Sequence, residues 1–249
     1  MIAGGDLARD PALSQLNRWL LGWLPSGCGV AVSCIADSTA SEFAAEEQLI
    51  ARAVSRRRNE FRAGRAVARQ ALAQLGCAPM AILAHPQRDP IWPQGFLGSI
   101  THCERLALAI AAPTSLMQAV GVDLEDTSQL DPRLVSSVCR ADERLQQPHF
   151  AQLGIDHAMA CFVAKEAAFK AIFPQQRRAL EFDRLRVCFD IPERSFRVCM
   201  GCDPGNVLTP LAGIGGFMSL PGFLLAAFVM PHRGDQAPCL TSEMLASVA

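Results

Sequence analysis

Asp123-Leu124-Glu125 closes the apolar run "AVGVDLED". On a strand the side chains alternate, so Val120, Val122 and Leu124 face one side and Gly121, Asp123 and Glu125 the other. Two carboxylates then share a face, roughly 7 Å apart along the backbone. Such a pair repels itself unless solvent or a cation lies between. Hard oxygen donors suit Mg²⁺, which takes one or two carboxylates together with substrate phosphates and water. A solvated strand end would carry the same two residues.

A third carboxylate stands in "FVAKEAAFKAIF", residues 162 to 173. Phe162, Phe169 and Phe173 recur at helical spacing, and Glu166 falls inside the same stripe. A carboxylate on a buried face needs a partner or suffers a desolvation penalty. A divalent ion shared with Asp123 and Glu125 would be one. Lys170 lies one turn beyond Glu166, where an exposed ion pair is the simpler alternative. Lys165 and Lys170 flank the stripe.

Positive charge gathers in "SRRRNEFRAGRAVAR". Arg58, Arg62, Arg65 and Arg69 stand at i, i+4, i+7 and i+11, a single row on one helix face. Ser55 is an N-cap candidate, so Arg56 and Arg57 occupy the first turn, against the helix macrodipole. These arginines therefore call for an anionic partner, and guanidinium groups bind phosphate bidentately. In "GSITHC", Thr101 and His102 add a hydroxyl and an imidazole beside a turn.

The elements that must position these groups follow from the pattern along the chain. Residues 1 to 45 read as loop-rich with a short strand in "GCGVAVSCIA". Residues 46 to 76 read as helix, closed by Gly76. A Pro-punctuated loop leads to a strand, turn and strand in "LGSITHCERLALAIAA". "QAVGVDLEDT" is a further strand, "PRLVSSVCRADERLQQ" a helix, and residues 156 to 173 a longer helix ended by Pro174. "LRVCFDI", "SFRVCMGC", "IGGFMSL" and "FLLAAFVMP" are four strands in a row. Helix followed by strands, twice, suggests an α+β protein with helices packed on antiparallel sheet, divided near residue 116 into segments 1–116 and 117–249.

Bulk composition narrows the classes. The 249 residues are 50% apolar and 19% charged, which fits a folded globular chain. A formal charge of −1 argues against broad nucleic-acid binding. No run of about 18 apolar residues is present, so no membrane span is expected, and "WLLGWLP" is too short for a signal peptide. The ten cysteines are irregularly spaced, as in reduced thiols of a cytoplasmic protein. Cys199 and Cys202 form a CxxC without the second half of a zinc site, and read as idle thiols.

"GVDLED" followed about forty residues later by "FVAKEAAFKAIF" resembles the paired signature of the 4′-phosphopantetheinyl transferases. "RRNEFRAGRAVARQAL" and "PIWPQGFLGSITHCERLALAIA" are similar to segments of the enterobactin-synthetase subgroup. The likeness covers residues 55 to 173 well and the two ends only in outline. It implies transfer of the phosphopantetheine arm of coenzyme A to a serine of an apo acyl or peptidyl carrier protein, releasing adenosine 3′,5′-bisphosphate. It implies that Asp123, Glu125 and Glu166 bind Mg²⁺, with Mn²⁺ a possible substitute, and that Glu166 accepts the serine proton. Lys170 would stabilise the pyrophosphate, with Lys165 near it. Arg58, Arg65, Thr101 and His102 would hold the 3′-phosphate side. Arg88 joins the coenzyme A set, although neither motif nor spacing fixes which of Arg62, Arg69 and Arg88 meet coenzyme A and which the carrier protein. The subgroup implies a monomer of two similar halves, pseudo-twofold related, with coenzyme A in a cleft. The alternatives are another Mg²⁺-dependent phosphate-handling enzyme, or a module that docks an acidic partner without turnover.

Overall fold

Strand glycines and helix alanines decide how this chain packs, as a computed structural model shows. It describes residues 11–35, 40–127, 129–177, 181–202 and 207–232, the side chains of 202, 207 and 208 excepted. These divide into two compact units, Met1–Gln118 and Ala119–Ala249.

In the first unit, α1 (Pro11–Trp23) precedes β1 (Gly29–Cys34), α2 (Ala44–Leu49), α3 (Ser55–Ala73), β2 (Phe96–His102) and β3 (Leu106–Pro113). The sheet is antiparallel in the order β1-β3-β2, with Val30 opposite Ile110 and Ser99 opposite the same residue from the other edge. α1 corrects the loop-rich expectation for the first 45 residues. Leu13, Leu16, Leu20 and Trp23 recur on one helical face and are buried. The helix expected over 46–76 is two helices, separated at residues 50–54. Ser55 is the first helical residue, with Val54 at the N-cap position. α3 lays Ala63, Val67, Ala68, Ala71 and Leu72 on the sheet, against Ala107, Ala109 and Ala111 of β3.

The second unit contains β4 (Ala119–Asp126), α4 (Pro132–Val138), a 3₁₀ turn (Glu143–Gln146), α5 (Gln147–Gln152) and α6 (His157–Gln176). β5 (Leu185–Asp190), β6 (Ser195–Cys202), β7 (Val207–Pro210), β8 (Ile214–Leu220) and β9 (Phe223–Met230) follow. The strand order is β4-β9-β8-β6-β5, with β7 paired to β6, all antiparallel. The helix expected through "PRLVSSVCRADERLQQ" breaks after Val138, where Cys139 is extended. α6 starts on an Asp156 cap whose side chain accepts the Met159 N–H, runs through Pro174 and stops at Arg177 in a left-handed conformation (φ 53°). Its buried face corrects the phenylalanine stripe. Ala160, Val163, Ala164, Ala167, Ala168 and Ala171 are buried, while Phe162, Glu166, Phe169 and Phe173 lie half-buried beside that face. Small residues let a helix close onto a sheet, and the aromatics then cover its flank.

In each unit the contact is backbone on backbone. A Cβ at Gly29 would lie 2.0 Å from the Ala71 carbonyl oxygen, and one at Gly121 would lie 1.9 Å from that of Ala167. Real Cβ atoms cannot approach so closely, so the long helix of each unit requires glycine in the strand beneath it. Among the described residues, no helix is long and apolar enough to cross a membrane.

Candidate active site

The close seat of α6 on Gly121 determines which side chains meet. Asp123, two residues along β4 on the same face, is buried at 3% exposure and accepts a hydrogen bond from Lys170 Nζ at 2.5 Å. Glu125, two further on, is pushed up to about 7 by burial and by the charge of Asp123, with Lys170 opposing and Asp126 and Glu166 adding to the rise. Burial, and then Asp123, also raise Glu166, again against Lys170. The three predicted acids and Lys170 therefore form one electrostatic group at the β4–α6 contact. Negative charge there exceeds what Lys170 offsets.

The donors fit a hard, oxygen-seeking cation such as Mg²⁺ in type and charge. They do not form a group whose oxygens all lie within 4.8 Å of one another. An ion shared by all three would need their side chains to draw together, and phosphate and water oxygens would complete its shell.

Lys165 does not join this group, contrary to the expectation that it lies by the pyrophosphate. It is fully buried, one residue round the helix from Glu166. Its Nζ donates to Glu143 Oε2 at 2.8 Å, the Val138 carbonyl at 2.6 Å and the Phe182 carbonyl at 3.1 Å. An ammonium has three donors, and all three are used inside the protein. Glu143 takes the rest of its bonds from the Arg140 and Val187 N–H groups.

The arginine row is likewise mostly internal. Arg62 pairs with Glu47 at 2.6 Å and Arg69 with the fully buried Glu46 at 2.6 Å. The bond from Arg62 holds Glu47 down to about 2. Arg65 Nε donates to the Ile82 carbonyl at 2.6 Å, and its guanidinium lies 4.5 Å from the Phe61 ring centre. Burial lowers Arg65 to about 10, which leaves it cationic at neutral pH. The anionic partner that this row called for is therefore largely α2, whose Glu46 and Glu47 stand in the same unit.

A cavity of about 400 Å³ opens beside α3, lined by Arg57, Phe61, Arg65, His85, Arg88 and His102 among others. Three predicted residues, Arg65, Arg88 and His102, meet there. Arg58 and Thr101 are not in its lining. Arg58 turns to Ser55 Oγ, and Thr101 is buried in β2. His85 was not expected there, and Arg57 was expected to meet an anion but not counted among the coenzyme A residues. Arg57 Nη1 donates to His102 Nε2 at 3.0 Å, and Glu60 lies 3.9 Å from the same imidazole nitrogen. The signal for Arg57 was in the matched segment itself, because "RRNEFRAGRAVARQAL" begins at Arg57, three residues before Glu60. Of the CxxC, Cys199 is a free thiol and the side chain of Cys202 lies outside the described residues.

Residues 45–112 match the model of the 4′-phosphopantetheinyl transferase N-terminal domain, and residues 119–204 that of the 4′-phosphopantetheinyl transferase superfamily. The transferase Npt of Nocardia iowensis is 35% identical over 195 residues, which cover 74% of this chain and 86% of that protein. The chain belongs to the 4′-phosphopantetheinyl transferase superfamily. PptT of Mycobacterium tuberculosis is 37% identical over 145 residues, covering 58% of this chain and 64% of that one. Enterobactin synthase component D of Salmonella typhi is 35% identical over 119 residues, about half of each chain (47% and 48%). The boundary between the two matched regions falls between β3 and β4. The acid group and α6 therefore lie in the superfamily region, and the arginine-lined cavity in the N-terminal region.

Proposed function

We propose that this enzyme transfers the 4′-phosphopantetheine arm of coenzyme A to a serine of an apo acyl or peptidyl carrier protein, Mg²⁺-dependently, and releases adenosine 3′,5′-bisphosphate. The observation that carries the reading is the β4–α6 acid group, where burial and mutual repulsion raise Glu125 and Glu166 beside a single lysine. A site short of positive charge is suited to bind a cation with its phosphate ligand. Mg²⁺ held by Asp123, Glu125 and Glu166 would supply charge neutralisation on the pyrophosphate oxygens. Mn²⁺ would serve the same donors.

In this reading the serine hydroxyl attacks the β-phosphorus in line. The new bond is serine Oγ to phosphorus, and the bond that breaks joins that phosphorus to the bridging oxygen, which leaves with adenosine 3′,5′-bisphosphate. Glu166, which burial and then Asp123 raise above the usual carboxylate range, accepts the hydroxyl proton directly or through water. Lys170 sits against Asp123 and stabilises charge on the leaving oxygen. The cavity lined by Arg57, Arg65, Arg88 and His102 takes the 3′-phosphate. Guanidinium and imidazole groups there match a phosphate dianion. The helix-on-antiparallel-sheet build of each unit supports a chain of two similar halves. The enzyme acts in the cytoplasm as a monomer. Its relatives named for enterobactin synthase suggest a siderophore or similar assembly line as the pathway served.

Incubation of an apo carrier protein with the enzyme, coenzyme A and Mg²⁺ tests this. Intact mass should rise by one phosphopantetheine arm, and the rise should vanish with excess chelator or with Glu166→Ala. An unchanged mass with several apo carriers would overturn the reading. Full activity in excess chelator would overturn the metal site alone.

A further inference from the structure

The break after α4 brings together three groups that the transfer chemistry does not use. Cys139 caps the C-terminus of α4 with an extended backbone. His157 opens α6, and Cys161 follows one helical turn later on the same face. All three are buried, at 3%, 5% and 0% exposure. Their sulfur and nitrogen atoms all lie within 4.8 Å of one another, the one such group of histidines, cysteines and carboxylates among the described residues. Cys161 Sγ is 3.5 Å from His157 Nε2, and the two thiols are close enough to shift each other's ionisation, Cys139 downward and Cys161 upward.

These separations can be set against a metal polyhedron. With Zn–S near 2.3 Å and Zn–N near 2.0–2.1 Å, a tetrahedral S···N edge is about 3.5 Å and an S···S edge about 3.8 Å. The His157–Cys161 edge already has that length. Elsewhere, from separations within 4.8 Å, the thiol–thiol edge need contract by about 1 Å at most and the Cys139–His157 edge by about 1.3 Å. His157 also lines a separate cavity of about 340 Å³, bounded by Gln147, Gly154 and Asp156 among others. The imidazole is the member of the group that meets this cavity; neither thiol is in its lining.

We propose that Cys139, His157 and Cys161 form a structural site for a soft divalent cation, Zn²⁺ being the physiological candidate, with a water from the adjoining cavity as fourth ligand. Two thiolates and an imidazole select Zn²⁺ over the hard Mg²⁺ of the acid group. On binding, both thiols release their protons to solvent, and the ion gains two Zn–S bonds and one Zn–N bond. The site fastens the segment after α4 to the first turns of α6, the helix whose next turns carry Glu166 and Lys170. It does not depend on the proposed transfer reaction.

The test uses the untagged full chain, stripped of metal and reloaded with Zn²⁺ or Co²⁺. Elemental analysis should find one zinc per chain, and Co²⁺ should give the intense near-ultraviolet band of thiolate-to-cobalt charge transfer. Zinc should shield Cys139 and Cys161 of the wild-type protein, but not Cys199, from alkylation mapped by mass spectrometry. Cys139→Ser and Cys161→Ser should each lose the zinc, while Cys199→Ser keeps it. Absence of both bound zinc and the charge-transfer band in the wild type would overturn the proposal. So would alkylation of Cys139 and Cys161 that zinc does not slow, or a Cys139–Cys161 disulfide in the protein as isolated. The shielding measurement stands even if the serine variants fold poorly.

Discussion

The two units solve the same packing problem and spend their charges differently. Each rests one long helix on a strand glycine, α3 on Gly29 and α6 on Gly121. Each buries one glutamate that accepts from a cation of its long helix and from a backbone N–H. Glu46 takes Arg69 and the Ile82 N–H, and Glu143 takes Lys165 and the Val187 N–H. Beyond that the units diverge. In the first, Glu47 answers Arg62, so the charges of α3 go mostly into the fold. In the second, Asp123, Glu125 and Glu166 face Lys170 with acid in excess. Charge that is matched within a unit holds an element in place. Charge left in excess at a helix–strand contact is available to a ligand.

Breaking a matched pair should have the largest effect. Lys165→Ala leaves Glu143 buried without its ammonium, a change that typically costs about 3 to 5 kcal/mol. Urea unfolding should show a loss of that order. If transfer by the remaining folded protein keeps its KM for coenzyme A, Lys165 is confirmed as part of the fold. A selective rise in that KM at unchanged stability would return it to the ligand.

An intermediate effect separates Arg57 from its neighbour. Loss of a charge-assisted phosphate contact costs about 1.5 to 3 kcal/mol, roughly ten- to a hundredfold in affinity. Arg57→Ala should therefore raise the KM for coenzyme A by that factor and barely affect dephospho-coenzyme A. Arg58→Ala should change neither substrate. Equal effects of the two variants would show that the arginine-lined cavity does not read the 3′-phosphate. Arg65→Ala is a poorer probe, because it also removes the bond to Ile82.

The smallest effect is a pH slope. Glu125 has a folded value of about 7 against 4.5 unperturbed. Between those values the folded protein holds a proton that the unfolded chain has lost, so metal-free stability falls as pH rises through that window. Glu166 adds to the same slope. Glu125→Gln should flatten it, measured as urea midpoints at pH 5 and pH 7.5. An unchanged slope would mean that Glu125 is better solvated than its position implies. Mg²⁺ should stabilise the wild type more at the higher pH.

Much of the second unit was legible. The alternation in "AVGVDLED" placed Asp123 and Glu125 on one face, and that face is the one α6 covers. The helix itself was equally plain, but its buried side was read from its largest residues. Alanines define it instead, because only they let the helix backbone reach Gly121. α1 carried a sound pattern of leucines, obscured by loop-forming residues on either side. The arginine row showed that an anion was required without showing whose. Glu47, 15 residues before Arg62, and Glu46, 23 before Arg69, answer through a chain reversal that no local pattern reports. The thiol–imidazole group was half visible in His157-x-x-x-Cys161. Its third member depends on where α4 breaks, which is a tertiary outcome.

The seat of Ala167 on Gly121 also limits how such a site can diverge. Between most helices and sheets, side chains act as spacers, and a family can adjust the gap by a methyl group at a time. Here there is no spacer to adjust. The smallest available substitution at residue 121 adds a Cβ that must displace the helix backbone, and Glu166 and Lys170 would move with it, away from Asp123. The acid group therefore has no graded series of neighbouring geometries at this contact. Variation in reactivity must come from residues around it, while the distance between strand and helix stays as the glycine sets it.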